Sequence, residues 1–343
     1  MDALLDETHT EFLDVAQQIA RSIGVTNPAD IRGREALGGW ATLASAGLLE
    51  LRDRTDGAPL ASGVEVALLC RSLGAALVPD PYLPSGAIAA DLIARSGDPH
   101  AWSDDLTSGT SLYGIALSAN LRRIAGPDED APVMWGGAGE AGYALALQPD
   151  GDGWTLLRSS TSGSEPLDGV SPTNTAWSLS SPRWEVGGTL SSDDVDRVYA
   201  LALTGLAADT VGALEAGLRG VVTYSGQRKA YGQHIGSFQS LQHIAADAHT
   251  AVEGTRAAVF YAAWGVDELT APEALLAART AKAAAAAMAW GVAEDIMQIY
   301  GGIGQTWEHI AHFITRRVLF DTAVLGDEDV HLDEIARTRL GEN

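Results

Sequence analysis

An α+β architecture is what the sequence predicts, with a helical segment at 1–110, a small β domain at 111–190 and a second helical segment at 191–343. Three observations carry it. Apolar residues recur every three or four positions in the first and last segments, whereas short apolar runs broken by Gly, Pro, Asp and Ser fill the middle one. No 20-to-50-residue repeat runs through the chain, which argues for one multi-domain unit of 343 residues and against a solenoid.

In the first segment Leu5, Phe12, Ala16, Ile19 and Ile23 line one helical face. Thr26-Asn27-Pro28 breaks it, with Asn27 placed to cap and Pro28 to open a second helix toward Trp40 and Leu43. The helical period resumes over 64–76, and Pro79, Pro81 and Pro84 interrupt it before a helix over 85–94. In the middle segment 112–117, 143–147, 154–157 and 176–179 read as strands. Pro149-Asp150-Gly151-Asp152-Gly153 reads as a hairpin between two of them. Ser191 and Ser192 then cap a helix whose first residues, Asp193 and Asp194, suit the positive end of its dipole. That helix runs to about Tyr224. Ser237 opens the next one toward Trp264, and Pro272 opens a third that carries the alanines of 283–287 and stops at Gly301.

Composition narrows the function. With 46% hydrophobic residues the chain is globular, and 22 basic residues against 45 acidic ones leave a formal charge of −23. Such a charge repels phosphate backbones and anionic bilayers in the absence of a basic cluster, so neither nucleic acid nor membrane is an expected partner. The first seven residues, Met1 to Glu7, lack the basic and apolar regions of a signal peptide, and the cytoplasm is the expected address. Cys70 is the single cysteine, which excludes an internal disulfide and predicts core packing.

The sequence holds no GxSxG, HExxH, P-loop or strand-linked GxGxxG pattern. His309 and His312 lie a helical turn apart with no third metal ligand nearby in sequence, so they read as part of a solvated helix face. Two stretches are informative. Arg228-Lys229-Ala230-Tyr231-Gly232-Gln233-His234-Ile235-Gly236-Ser237-Phe238-Gln239 joins a helix end, a glycine turn and a new helix start. Free backbone N–H groups beside a guanidinium there suit a pyrophosphate. Gln298-Ile299-Tyr300-Gly301-Gly302-Ile303-Gly304 is a helix end whose glycines let a flat ligand or another backbone approach. Read alone, each is an interhelical turn.

Taken together, in this order and at this separation, the two stretches resemble the acyl-CoA dehydrogenase family of flavoenzymes. That family carries an Arg-x-x-aromatic-Gly-x-x-Ile-x-x-Phe-Gln segment and a Gln-x-x-Gly-Gly-x-Gly segment in its C-terminal domain. The resemblance implies an N-terminal helical domain, a middle small β-barrel domain and a C-terminal four-helix bundle, with FAD lying across a subunit interface. It further implies that Arg228 pairs with the pyrophosphate, Tyr231 packs beside it, and Gln239 shapes the nucleotide pocket. Gln298, Gly301 and Gly302 would lie against the adenosine of an FAD held by a neighbouring subunit.

The sequence also departs from the family. The Thr-Glu-Pro loop with its Gly-Ser-Asp tail is replaced by Ala116-Leu117-Ser118-Ala119-Asn120 and Leu121-Arg122-Arg123, and the Trp-Ile-Thr segment by Trp135-Gly136-Gly137. The two positions at which the family places its catalytic glutamate fall on Leu325 and Ala202, neither of which takes a proton; Asp327 and Glu328 are the nearby fallback. The pattern resembles the base-lacking chain of heterotetrameric actinobacterial enzymes of the steroid side-chain type. It implies an α2β2 assembly with a second acyl-CoA dehydrogenase-like chain, α,β-desaturation of an acyl-CoA, and electron-transfer flavoprotein as acceptor. Two alternatives stand beside it: a self-sufficient homo-oligomer using Asp327 or Glu328, and a non-catalytic scaffold of the same fold.

Overall fold

The computed structural model describes residues 5–31, 38–55, 57–97, 100–137 and 142–341. Its N-terminal part holds helices α1 (Glu7–Ile23), α2 (Trp40–Ser45), α3 (Gly63–Ala75), α4 (Ala90–Arg95) and α5 (His100–Thr107). A small hairpin of β1 (Arg54–Thr55) and β2 (Ala58–Pro59) precedes α3. Asp6 caps α1 by accepting from the His9 N–H; of the expected stripe Ala16 and Ile23 are buried and Phe12 and Ile19 partly so, and Ala20 joins them in the core. Asn27 does cap, reciprocally with Asp30, but it opens only the tight turn Pro28–Asp30. The helix carrying Leu43 starts separately at Trp40. The helix expected over 85–94 begins three residues early. A wide helical segment, Tyr82–Ala89, runs directly into α4, and Pro84 is tolerated in its first turn, where a missing N–H leaves no helical bond unmade.

The middle of the chain forms β3 (Leu112–Leu117), β4 (Val133–Trp135), β5 (Gly142–Asp150), β6 (Gly153–Ser160), β7 (Glu165–Pro166), β8 (Ala176–Ser178) and β9 (Glu185–Ser191). They make one sheet in the order β7-β8-β4-β3-β5-β6-β9, with β3 and β5 parallel. The predicted hairpin closes with Asp150 opposite Gly153 around Gly151-Asp152. Period-two alternation sends Ile115, Leu117, Leu145 and Leu147 into the main core, while Ala116, Ala144 and Ala146 join Met134 and Leu157 in a second cluster under Trp177 and Trp184. Strand β9 escaped the sequence reading because only Leu190 of it is buried, which leaves no alternation to see.

The last part holds α6 (Ser192–Gln227), β10 (Lys229–Ala230), β11 (Gln233–His234), α7 (Gln239–Glu268), α8 (Ala271–Tyr300), α9 (Ala311–Ala323) and α10 (Glu328–Leu340). Ser191 and Asp194 form a reciprocal cap on α6, and Thr270 with Glu273 does the same for α8. Ser237 does not open α7: it sits in the preceding tight turn, donating to the His234 carbonyl, and Phe238 holds the cap position. Helix α6 is long and apolar enough to cross a membrane, yet 89% of its most apolar stretch is buried inside the protein. Helix α3 crosses it at backbone contact. A Cβ on Gly212 would lie 1.9 Å from the Arg71 carbonyl oxygen, and one on Gly74 would lie 2.3 Å from that of Asp209.

Buried ion pairs tie the parts together. Arg52, 0% exposed, donates to Asp91 of α4 at 3.2 Å and to both carboxylate oxygens of Asp267 in α7 at 3.2 and 3.1 Å. Burial opposes ionisation of Asp91, but the guanidinia of Arg52, Arg95 and Arg54 outweigh it and hold this carboxyl down at about 2. Cys70 packs in the core as expected, its thiol pushed up by burial.

In α10, His331 is 3% exposed. Burial, then the nearby Lys282 and Arg279 cations, push its imidazole down to about 4. The folded state therefore binds fewer protons than the unfolded chain between about pH 6.5 and 4. Stability present above pH 6.5 is lost as pH falls through that window, by about 3 kcal/mol. Urea midpoints measured from pH 7 to 4 are expected to fall less steeply in His331→Gln than in the native chain; parallel curves would contradict this assignment.

Candidate functional site

Helix α6 ends because Arg228 leaves the helical conformation, its N–H still donating to the Tyr224 carbonyl at 2.8 Å. Strands β10 and β11 then pair around Tyr231-Gly232, both at positive φ (53° and 82°), the geometry a two-residue hairpin turn demands. Glycine adopts it freely, whereas tyrosine pays a steric penalty of about 1 kcal/mol. Its ring is nonetheless 97% exposed, with an edge-on contact to Phe238 at 6.5 Å.

Helix α8 ends at Gly301, whose φ of 63° provides the left-handed exit. The Tyr300 ring packs on Tyr224 at 5.2 Å and on His309 at 4.3 Å, which fastens the end of α8 to the end of α6. The two sequence-predicted segments thus meet at one end of the helical bundle. A cavity of about 440 Å³ lies between them, walled by Val221 and Val222 of α6, Leu241 and Ala245 of α7, Ile299 of α8, and His234. None of the predicted cofactor residues lines it; Arg228, Gln239, Gln298 and Gly302 are exposed on the segments around it and Gly301 is half-buried. A Cβ at Gly301 or Gly302 would meet nothing within 4 Å. The first turn of α7 has no side-chain cap; the Leu241 and Gln242 N–H groups donate to the Phe238 carbonyl, and the guanidinium of Arg228 has no partner among the described residues.

The cleft between the three parts of the chain is different. It is bounded by the Tyr82–Ala89 segment, by Trp135 and Gly136 at the end of β4, and by Asp209 of α6 with Arg317 and Asp321 of α9. About 30 Å³ remains open, room for about two waters. Pro84 presses against the Trp135-Gly136 turn, where a Cβ on Gly136 would lie 2.5 Å from the Pro84 ring. Arg317 closes the floor, donating from Nε and Nη2 to the two oxygens of Asp209 at 2.7 Å each and from Nη1 to the Val78 carbonyl at 2.7 Å. Burial, and then the neighbouring Asp209 carboxylate, push the Asp321 carboxyl well above its ordinary range.

The two base positions lie within the core. Ala202 is buried in α6, and Leu325 is 3% exposed in the turn between α9 and α10. Leu325 sits at φ 58°, its N–H donating 2.7 Å to the carbonyl of Leu121, itself at φ 61°. Lys282 of α8 holds the same turn, donating to the carbonyls of Thr322 and Gly326 at 2.9 and 3.0 Å; burial pushes its amine down to about 7. Asp327 caps α10 by accepting from the Val330 N–H at 3.1 Å, and Glu328 begins that helix. Asp327 borders a separate cavity of about 310 Å³ with Asn120 and Arg122. His309 and His312 pack on Tyr300 and Trp307, and no group of three metal-ligating side chains occurs among the described residues.

Sequence reasoning missed the Asp209, Arg317 and Asp321 cluster. Its only signal was charge embedded in helices otherwise apolar on that face.

Residues 204–340 match the family described as acyl-CoA dehydrogenase, C-terminal domain. Acyl-CoA dehydrogenase IpdE2 of Mycobacterium tuberculosis is 32% identical over 266 residues, covering 74% of this chain and 70% of that protein. The chain belongs to the acyl-CoA dehydrogenase family. It shares the fold of this oxidoreductase family, which acts on CH–CH bonds, over its whole length. Butyryl-CoA dehydrogenase from Megasphaera elsdenii superposes with a TM-score of 0.79 at 20% identity, covering 99% of this chain and 100% of that one. A chain of the ChsE4-ChsE5 complex from Mycobacterium tuberculosis superposes with a TM-score of 0.79 at 24% identity and 100% coverage of both. The helical, sheet and helical order read from the sequence is the family order.

Proposed function

We propose that this chain is the base-lacking subunit of a heteromeric acyl-CoA dehydrogenase. It supplies the pyrophosphate and adenosine side of an FAD site to a partner chain of the same family, which carries the catalytic glutamate. The observation that supports this best is the contrast between a filled cleft and an open motif end. At the motif end, a guanidinium with no partner among the described residues and two glycines facing open space fit a dinucleotide. In the cleft, Trp135, Pro84 and the Asp209–Arg317 pair occupy the volume, and an isoalloxazine ring does not fit in about 30 Å³.

On this reading Arg228 holds the pyrophosphate with Tyr231 beside it, Gln239 shapes the nucleotide pocket, and Gln298, Gly301 and Gly302 lie along the adenosine. FAD, when bound, supplies the acceptor for the hydride that leaves the substrate β-carbon. This chain's residues bind and orient that cofactor and keep water from its nucleotide end. The α-proton needs a base within hydrogen-bond reach. Leu325 and Ala202 cannot take it, and Asp327 is engaged as a helix cap outside the cleft. The assembly proposed is an α2β2 heterotetramer acting on an acyl-CoA, with steroid side-chain CoA thioesters as the substrate class and electron-transfer flavoprotein as acceptor.

The test is flavin released per chain, measured on this chain alone and on its complex with the acyl-CoA dehydrogenase-like partner. A colourless chain that forms a complex with one FAD per two chains is the expected result. Turnover of that complex is expected to survive Asp327→Ala and Glu328→Ala nearly intact. One FAD per chain in a homo-oligomer, with turnover lowered about a thousandfold by either substitution, would replace this reading by the self-sufficient one.

A further inference from the structure

Another open volume lies less than two turns along α6 from the filled cleft, with Arg71 and Ser72 of α3 facing it where Cys70 and Leu73 face the cleft. It is a groove of about 680 Å³ between α1, α3 and α6, a size that admits a nucleotide. In a chain of net charge −23, three arginines and a single glutamate line it: Arg21 of α1, Arg71 of α3, and Glu215 and Arg219 of α6. Glu215 is fully engaged. Arg71 binds it with both prongs of its fork, Nε and Nη2, at 2.9 and 3.0 Å. Arg219 and Arg256 stand 3.9 and 4.0 Å from the same carboxylate. Arg21 has no hydrogen-bond or ion-pair partner among the described residues, and the side chains that line the groove, three arginines and one glutamate, carry a net charge of +2.

The remaining walls divide by chemistry. Leu13, Val25, Ala75 and Ala76 give an apolar side, and Gln17, Thr26 and Ser72 give polar contacts. The Ser72 hydroxyl donates to the Leu68 carbonyl, which leaves its oxygen free to accept.

We propose that this groove binds a phosphorylated small molecule of nucleotide size, with its phosphates on Arg21 and Arg219 and its organic body against the apolar side. A monocarboxylate would leave one guanidinium unmatched. A phosphate monoester brings up to two charges and a diphosphate more, and their oxygens match guanidinium forks in pairs. The groove is lined by none of the residues assigned above to FAD, so it is a separate site and does not depend on the flavin reading.

Titration of the full-length chain with ADP at about 0.1 M salt tests it. Saturable binding is expected to persist in Arg228→Ala, which removes the competing pyrophosphate contact at the motif end, and to weaken about tenfold or more when Arg21→Gln and Arg219→Gln are added to that variant. Adenosine, which lacks the phosphates, is expected not to bind. Arg21 and Arg219 lie at the surface, and an unchanged melting temperature of the triple variant separates lost binding from lost fold. Binding that survives Arg21→Gln with Arg219→Gln but disappears in Arg228→Ala would place ADP at the motif end and overturn the proposal. So would the absence of saturable ADP binding to the native chain.

Discussion

Replacing Arg317 by Met is expected to destabilise the chain by about 3 to 5 kcal/mol, read as a lowered urea midpoint. The size follows from burial: the guanidinium is paired with Asp209 at 2.7 Å through two of its nitrogens, and removing it strands that carboxylate away from water. Asp321, also buried there, loses the cation that most favours its charged form. The double variant Asp209→Leu, Arg317→Met is expected to recover most of the loss, because an apolar pair of similar volume removes both members of the ion pair together. The result bears on function. A cost below about 1 kcal/mol for Arg317→Met is the figure for a solvent-exposed pair, and it would mean that water reaches the cleft. An open cleft would remove the main support for assigning the flavin ring to a partner.

Legibility in the sequence followed the range of the interactions. The caps at Asn27, Ser191 and Gly301, the hairpin at Gly151-Asp152 and the two motif segments are set by residues within a few positions of one another, and each was found where its local chemistry placed it. What escaped was long-range. Arg52 meets Asp267 across 215 residues and Arg317 meets Asp209 across 108, and no window of sequence contains both partners. The early start of the helix at Tyr82 escaped because Pro84 reads as a breaker until its place in a first turn is known. The same limit applied to the site. Trp135-Gly136-Gly137 announced a departure from the family pattern, but its consequence lies in a contact with Pro84 about fifty residues away in sequence. A local motif can thus declare which ligand a segment suits, whereas the space available for that ligand is decided by packing.

Replacing Arg228 by Ala is expected to weaken FAD retention in the heteromeric complex by about 1 to 3 kcal/mol, roughly five- to a hundred-and-fifty-fold in dissociation constant. The guanidinium is exposed and has no internal partner, so its loss should leave the melting temperature of the isolated chain unchanged. Those two readouts together separate a cofactor contact from a structural one, which Arg317→Met moves in the opposite sense. Arg228→Lys tests the chemistry further. It keeps the charge but loses the planar fork, and a partial recovery of flavin retention is expected because a diphosphate is gripped by paired donors as well as by charge. Flavin content unchanged in Arg228→Ala would remove this chain from the cofactor site. The strained, exposed Tyr231 turn beside it would then be a protein-protein contact and nothing more. A family fold kept with an open motif end and no flavin dependence on it would be the scaffold alternative.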